Sequence, residues 1–359
     1  MIHAKPLTSP DELLEELPAS KHQLDFVSHC RKEVHQILDR QDPRLLLIVG
    51  PCSIHDTSAA KEYATKLKQI QSSLEGSFKI IMRAYFEKPR TSLGWKGILY
   101  DPWLDGSHDI ETGIRWTRQL LLDLADLQVP AAAEFLDPIA ANYFGDLISW
   151  GCIGARTSTS QTHRQMASSL PMPIGFKNSI DGNITCAING ILNASTPQTL
   201  IGINSQGRIS AIKTAGNPYG HIVLRGAKNF TNYDPKSILQ TIENLRQARL
   251  PERLLIDCSH DNSRRTADEQ VSVFQSVLHQ IAEGNINICG LLLESNLFGG
   301  NQHFSADLSQ LQYGVSLTDP CLDWQTTERL ILWGHQFLKR ENCPEQLTMA
   351  PVAAKPSRK

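Results

Sequence analysis

Beyond about residue 40 the chain repeats one rhythm: a short, predominantly apolar run of strand length, then enough chain for a helix. The runs are Leu45–Gly50, Lys79–Ala84, Ala131–Leu136, Cys152–Arg156, Pro173–Asn178, His221–Gly226, Leu254–Ser259 and Ile288–Ser295. A half-exposed antiparallel strand alternates apolar with polar residues. These runs do not, so they read as strands buried on both faces, as in a parallel sheet. Eight of them with helical intervals predict an α/β protein of the (β/α)8 TIM-barrel type rather than two smaller domains.

A barrel of this kind needs about 250 residues, and the surplus has to be placed. We expect an N-terminal arm and helices over 1–40, the barrel over 41–342 and a flexible tail over 343–359. The first ten residues read as a tail, after which Ser9, Pro10 and Glu12 form a capping-box signature. A second helix is expected from about Ser20 to Arg40, with Leu24, Val27, Val34, Ile37 and Leu38 as its apolar stripe. Within the barrel, 199–213 reads as an inserted β-hairpin, because TLIGI and RISAIK flank an Asn-Ser-Gln-Gly turn.

Composition narrows the partners. Lys+Arg of 35 against Asp+Glu of 37 leaves a formal charge of −2, which gives no overall attraction to nucleic acid or to an anionic membrane. No apolar run approaches ~18 residues, and the N-terminal stretch lacks the apolar core of a signal peptide. Eight cysteines lie scattered, without the spacing of a zinc ribbon or a disulfide framework. A reducing cytoplasm is therefore expected. Neither a G-x-G-x-x-G nor a Walker loop is present, which removes the nucleotide-fold readings.

The chemistry collects where the strands end. The first run leads into Pro51-Cys52-Ser53; the second carries Arg83 and leads to Lys88-Pro89-Arg90-Thr91. Glu134, Arg156, Lys177 and Arg225 follow on the next four, then Asp257-Cys258-Ser259-His260 and Glu294. In a barrel these positions share the C-terminal rim, where active sites are built. The six cations Arg83, Lys88, Arg90, Arg156, Lys177 and Arg225 suit phosphate and carboxylate groups. Cys52, His260, Glu294 and Asp319 form a mixed thiolate, imidazole and carboxylate set, which favours a first-row transition metal over Mg²⁺ alone. Cys152, Cys186 and Cys289 read as core residues, and His55, His163 and His221 as surface or hydrogen-bonded histidines. Cys258, two residues before His260, is taken to share its side of the strand but to serve as packing. Arg264-Arg265 reads as solvated loop charge.

The motifs then identify a family. GPCSIHD at 50–56, MRAYFEKPRT at 82–91, GWKG at 94–97, IGART at 153–157, GFKN at 175–178, DCSH at 257–260, ESN at 294–296, GNQ at 300–302 and the SLTDPC segment around Asp319 resemble the type I 3-deoxy-D-arabino-heptulosonate 7-phosphate (DAHP) synthases. The stretch GINSQGRISAIKTAGNPYGHIVLRG at 202–226 resembles their tyrosine-sensitive branch. The resemblance implies a cytoplasmic, metal-dependent transferase that condenses phosphoenolpyruvate with erythrose 4-phosphate and opens the shikimate pathway. It implies one divalent metal per subunit (Mn²⁺, Fe²⁺ or Co²⁺ first, Zn²⁺ or Cu²⁺ next) on Cys52, His260, Glu294 and Asp319. It also implies Arg83, Lys88, Arg156, Lys177 and Arg225, with Glu134, at phosphoenolpyruvate, and Lys88, Arg90 and Thr91 at the sugar phosphate. Lys88, Glu134 and His260 are its catalytic candidates. A homodimer or homotetramer is expected, without nucleic acid or membrane.

Some positions depart from the family pattern. Thr159 stands where glutamate is common, Ser179-Ile180 where Gly-Thr is usual, and Ala227 where a second glycine follows the arginine. The resemblance places an aromatic amino-acid effector, tyrosine first, in a pocket on the outer side of the barrel. Ala141, Pro171 and Ile180 replace its usual proline, serine and threonine, so weak or absent inhibition is expected. Two rivals stand beside this reading. An octulosonate 8-phosphate synthase would use arabinose 5-phosphate, against which the KPRT loop argues. A non-catalytic metal or phosphate sensor would have lost a ligand or a rim cation, and none is lost.

Overall fold

The structure, a computed structural model, describes residues 4–305 and 307–341. The expected tail at 343–359 lies outside the described residues. Eight parallel strands close into a barrel: β1 (Leu45–Gly50), β2 (Phe78–Arg83), β3 (Ala131–Glu134), β4 (Ile148–Ile153), β5 (Ile174–Lys177), β8 (Gly220–Leu224), β9 (Leu254–Asp257) and β10 (Ile288–Glu294). The intervening β6 (Thr199–Ile203) and β7 (Ile209–Lys213) pair antiparallel as the inserted hairpin, in register from Thr199↔Lys213 to Ile203↔Ile209. Helices α1 (Pro10–Glu16) and α2 (Lys21–Leu38) precede the barrel, and α3 (Thr57–Gln71), α4 (Ile110–Asp126), α5 (Ala141–Phe144), α6 (Gln161–Ala167), α7 (Thr185–Ala194), α8 (Pro235–Gln247), α9 (Glu269–Ala282) and α10 (Trp324–Glu341) surround it. No helix among the described residues is long and apolar enough to cross a membrane.

The strands are apolar on both faces because each face has its own core. Leu45, Leu47 and Val49 pack outward with the helices, whereas Leu46 and Ile48 point inward with Ile81, Ala132, Trp150, Val223, Leu255 and Leu292. Val34, Ile37 and Leu38 of α2 join the inner cluster and close the barrel's base. There Trp150 Nε1 donates to His221 Nε2 at 3.1 Å, His35 stacks on Tyr219 at 3.6 Å, and Arg253 pairs with Asp39 at 2.8 Å.

Three expectations need correction. The fourth strand begins four residues earlier than its apolar run indicated and ends at Ile153, so Arg156 lies beyond it, exposed, on the following loop. Ser149 and Gly151 disguised its start; Gly151 is glycine because a Cβ would press on Ile174 and Phe135. On α2 it is Gln23 that is buried and Leu24 that is exposed. The arm is docked from Thr8 onward: Thr8 N and Oγ1 donate to Glu111, and Tyr143 Oη donates to Thr8 O at 2.7 Å. Both Ser9 and Ser20 form the capping boxes that start α1 and α2.

Candidate active site

The strand ends converge as a barrel requires. Arg83, Glu134, Lys177, Asp257 and Glu294 are the last residues of β2, β3, β5, β9 and β10, and Arg225 follows β8 by one. At the floor, single ligand atoms of Cys52, Glu294 and Asp319 lie within 4.8 Å of one another. Asp319 reaches this point because its segment runs beside β10: Leu322 N donates to Glu294 O at 3.0 Å, and Asn296 N to Leu322 O at 2.8 Å. His260 turns its Nε2 toward the same cluster, 3.8 Å from Glu294 Oε1. Its other nitrogen, Nδ1, sits 3.0 Å from Asp257 Oδ2 and 2.7 Å from Ser259 Oγ, which fixes the ring.

Cations line the floor as well. Lys88 Nζ donates to Cys52 Sγ at 2.7 Å and to Asp319 Oδ2 at 3.3 Å, and Arg83 Nη2 to Glu294 Oε1 at 2.9 Å. Burial, reinforced by Glu294, pushes the Cys52 thiol up to about 12, so a bound cation is what would make it a thiolate. Burial alone would depress the Lys88 ammonium, but Cys52, Asp319 and Glu294 outweigh it and hold it above the ordinary lysine range. Burial would likewise raise Asp319, and Lys88 and His260 overcome it, keeping the carboxylate ionised. Sulfur, imidazole and two carboxylates around one point fit a divalent transition metal.

Above the floor, all six predicted cations line one small cavity of about 70 Å³, together with Glu134, His260 and Asp319. Thr91 stands at its lip and accepts from Arg156 Nε at 2.9 Å. Lys177 Nζ lies 3.1 Å from Asp257 Oδ2 and 3.9 Å from Glu134 Oε2, and Arg225 Nη1 lies 2.6 Å from Asp261 Oδ2. Asp257 stays ionised against the effect of its burial, because His260 and Lys177 flank it.

Several of these partners were not legible beforehand. Arg265, expected to be solvated, lines the cavity: its Nε donates to Asp261 Oδ1 at 3.1 Å, and its Nη1 lies 3.9 Å from Asp319 Oδ1. The loop that carries it holds His260, Arg264 and Arg265 at φ of 57°, 51° and 60°, left-handed values that strand alternation does not foresee. The same turn parts Cys258 from His260, and Cys258 packs into the outer core instead of sharing the histidine's side. Asn178, Asn232 and Asn262 tie three loops together, with Arg225 N donating to Asn178 Oδ1 at 2.9 Å and Asn232 N to Asn262 Oδ1 at 2.9 Å. Glu87 is buried and accepts from Leu136 N and Asp137 N, at 3.2 and 3.1 Å, linking the loop of Lys88 to the loop after Glu134.

The expected effector residues separate. Ala141 and Pro171 line a groove of about 1330 Å³ on the barrel's flank, between α5, α6 and the hairpin. Ile180 does not. It belongs to a loop at the C-terminal rim and lines another cavity with Phe230, beside the mouth.

Comparison with known proteins agrees with this geometry. Residues 16–331 match the family model described as the DAHP synthetase I family. The chain is 46% identical over 332 residues, 92% of its length and 93% of the relative's, to the Tyr-sensitive phospho-2-dehydro-3-deoxyheptonate aldolase of Escherichia coli K12. It is also 46% identical to that organism's Phe-sensitive enzyme, over 91% of this chain and 93% of the relative. A solved phospho-2-dehydro-3-deoxyheptonate aldolase from Francisella tularensis SCHU S4 superposes with a TM-score of 0.92 at 39% identity, covering 95% of this chain and 99% of the other.

Proposed function

This chain belongs to the DAHP synthetase I family, and from that membership we propose how its residues divide the family's reaction. The reaction condenses phosphoenolpyruvate with D-erythrose 4-phosphate and water, giving DAHP and phosphate at the entry to the shikimate pathway. The observation that carries the assignment is the joint placement of the Cys52, Glu294 and Asp319 cluster beneath six rim cations.

Arg83, Arg156, Lys177 and Arg225 hold the phosphate and carboxylate of phosphoenolpyruvate, and Arg90 with Thr91 holds the sugar phosphate. Together the substrates bring about five negative charges, and the cations offset the repulsion that opposes bringing the reacting carbons together. Cys52, His260, Glu294 and Asp319 hold the divalent ion, with Mn²⁺, Fe²⁺ or Co²⁺ favoured by the donor set and Zn²⁺ or Cu²⁺ accommodated by it. When bound, that ion supplies Lewis-acid polarisation of the aldehyde. Lys88, kept protonated beside Cys52 and Asp319, donates to the developing alkoxide. Glu134, 3.9 Å from Lys177 Nζ, orients the water that hydrates C2. Release of phosphate from phosphoenolpyruvate, with and without erythrose 4-phosphate after Mn²⁺ addition, tests the reading. Release that ignores the sugar, or that runs with arabinose 5-phosphate instead, refutes it.

For regulation, the flank groove is the effector site and tyrosine the first ligand to test. With Pro171 in the wall where a serine is usual, the groove has one hydroxyl partner fewer, and binding is weakened. The chain associates as a homodimer or homotetramer. The outward hairpin face supports association, since Ile201 and Ile209 are 85% and 84% exposed in the single chain. The 1–40 segment, the barrel and the hairpin act as one catalytic unit.

A further inference from the structure

The loops after β4, β5 and β8 meet beside the mouth and border an open cavity of about 560 Å³, of whose wall the reaction above uses Arg156 alone. Thr159, Ser179, Ile180 and Ala227 all line it. The sequence departs from the DAHP synthase pattern at all four, so these departures, far apart along the chain, gather in one place.

The cavity has an apolar side and a cationic side. Ile180, Ala227 and the half-exposed Phe230 ring make the apolar side. Phe230 is held there by its backbone: Ala227 N donates to Phe230 O at 2.8 Å, and Phe230 N to Ala227 O at 3.2 Å. Gly182, at φ +88°, gives the ring its room, because a Cβ at that position would collide with it. Arg156 and Lys228, both exposed, make the cationic side. Arg156 engages Thr91 through Nε, which leaves its terminal nitrogens free to face either the mouth or this cavity. The wall holds one carboxylate, Asp181, whose Oδ1 accepts from Ser179 Oγ and, at 3.2 Å, from Asn183 N.

An anion therefore meets two cations, whereas an ammonium meets a single carboxylate with one oxygen in use. The size suits a small molecule, and an aromatic ring has an apolar wall and a Phe230 face to pack on. We propose that this cavity binds a small aromatic carboxylate lacking an amino group, which draws on Arg156 and so competes with phosphoenolpyruvate. The competition rests on the placement of Arg156 at phosphoenolpyruvate; the binding itself does not. The flank groove differs in kind, since its wall carries two carboxylates, Asp137 and Asp146, beside one cation, Arg31.

The test uses 3-phenylpropionate and L-phenylalanine, which differ only in the α-ammonium. Calorimetric titration of the full chain should show saturable binding of 3-phenylpropionate, with a dissociation constant on the order of 1 mM or tighter. Lys228→Gln and Phe230→Ala should each weaken it by at least about fivefold. Both variants should keep the basal kcat and KM. In steady state, 3-phenylpropionate should raise the apparent KM for phosphoenolpyruvate and leave kcat unchanged. Absence of binding overturns the proposal, as does binding that neither variant weakens. Phenylalanine binding as tightly, with the same dependence on the two variants, overturns the ligand class. If the wild type shows no turnover, the proposed reaction fails while the titration still decides the cavity.

Discussion

The mouth of the barrel and the groove on its flank differ in how tightly their walls are determined. In the mouth the deep cations each have a carboxylate: Arg83 with Glu294, Lys88 with Asp319, Lys177 with Asp257 and Arg225 with Asp261. Moving any one strands a buried charge, so the geometry is held by several costs at once. The flank groove is far larger, about 1330 Å³ against about 70 Å³, and Leu200, Ile212, Met166 and Pro171 give it an apolar wall without charge pairs. Apolar residues of similar size exchange there at small cost. The contrast teaches where change accumulates: the mouth is fixed by paired charge, whereas the flank groove follows shape and is free to drift.

The largest expected effect lies at the floor of the mouth. Chelation, or Cys52→Ala, should lower turnover by about 10³-fold or more while the far-ultraviolet circular dichroism stays unchanged. Mn²⁺, Fe²⁺ or Co²⁺ should restore the chelated wild type. Full activity in either case would remove the floor from the comparison.

Next come the cations, which separate deep from outer positions. Lys177→Ala and Arg156→Ala should each reduce kcat/KM for phosphoenolpyruvate by about 10- to 100-fold, the equivalent of about 1.5–3 kcal/mol. Lys177→Ala alone should also lower stability, by about 3 kcal/mol, because it leaves Asp257 buried without its cation. Arg90→Ala should act chiefly on the KM for erythrose 4-phosphate. Equal thermal midpoints for the Lys177 and Arg156 variants would contradict the pairing argument.

Glu87, which joins the two regions through Leu136 and Asp137, gives a pH test. Burial, aided by Asp137, pushes its carboxyl up to about 8 from an ordinary value of 4.5. The folded chain then holds a proton that the unfolded chain gives up in between. Its contribution to stability is complete below about pH 4.5 and is lost as pH rises through about 8. Urea midpoints at about pH 5.5 and 8.5 should differ less for Glu87→Gln than for the wild type. An identical difference in both would place the proton elsewhere.

The smallest effect belongs to the groove. Tyrosine, phenylalanine or tryptophan up to about 1 mM should inhibit by less than about twofold, and Ala141→Pro with Pro171→Ser should sharpen the response to tyrosine. Strong inhibition of the wild type at low micromolar tyrosine would show the groove to be as tightly determined as the mouth.

Most of the barrel was legible because strands buried on two faces write themselves as unbroken apolar runs. The fourth was blurred because Ser149 and Gly151 interrupt its run. The cations and the metal-type residues were legible because strand ends share a rim and because their motifs are contiguous. Asp261, Arg265 and the three asparagines were not, since their placement depends on a left-handed turn and on pairing between loops. Ile180 was assigned to the wrong region for a related reason: its loop, which follows β5, pairs with the loops of Arg156 and Phe230 rather than with the flank.

The closure of the barrel's base by α2 has a consequence for traffic. With Val34, Ile37 and Leu38 packed beneath the strands, the barrel interior is closed at its base and opens toward the rim. Whatever is lodged at Cys52 and Glu294 by way of the mouth arrives before the rim fills and departs after it empties. Exchange of the deepest occupant is therefore gated by the shallowest, and a saturated mouth should protect the floor from chelators and oxidants alike.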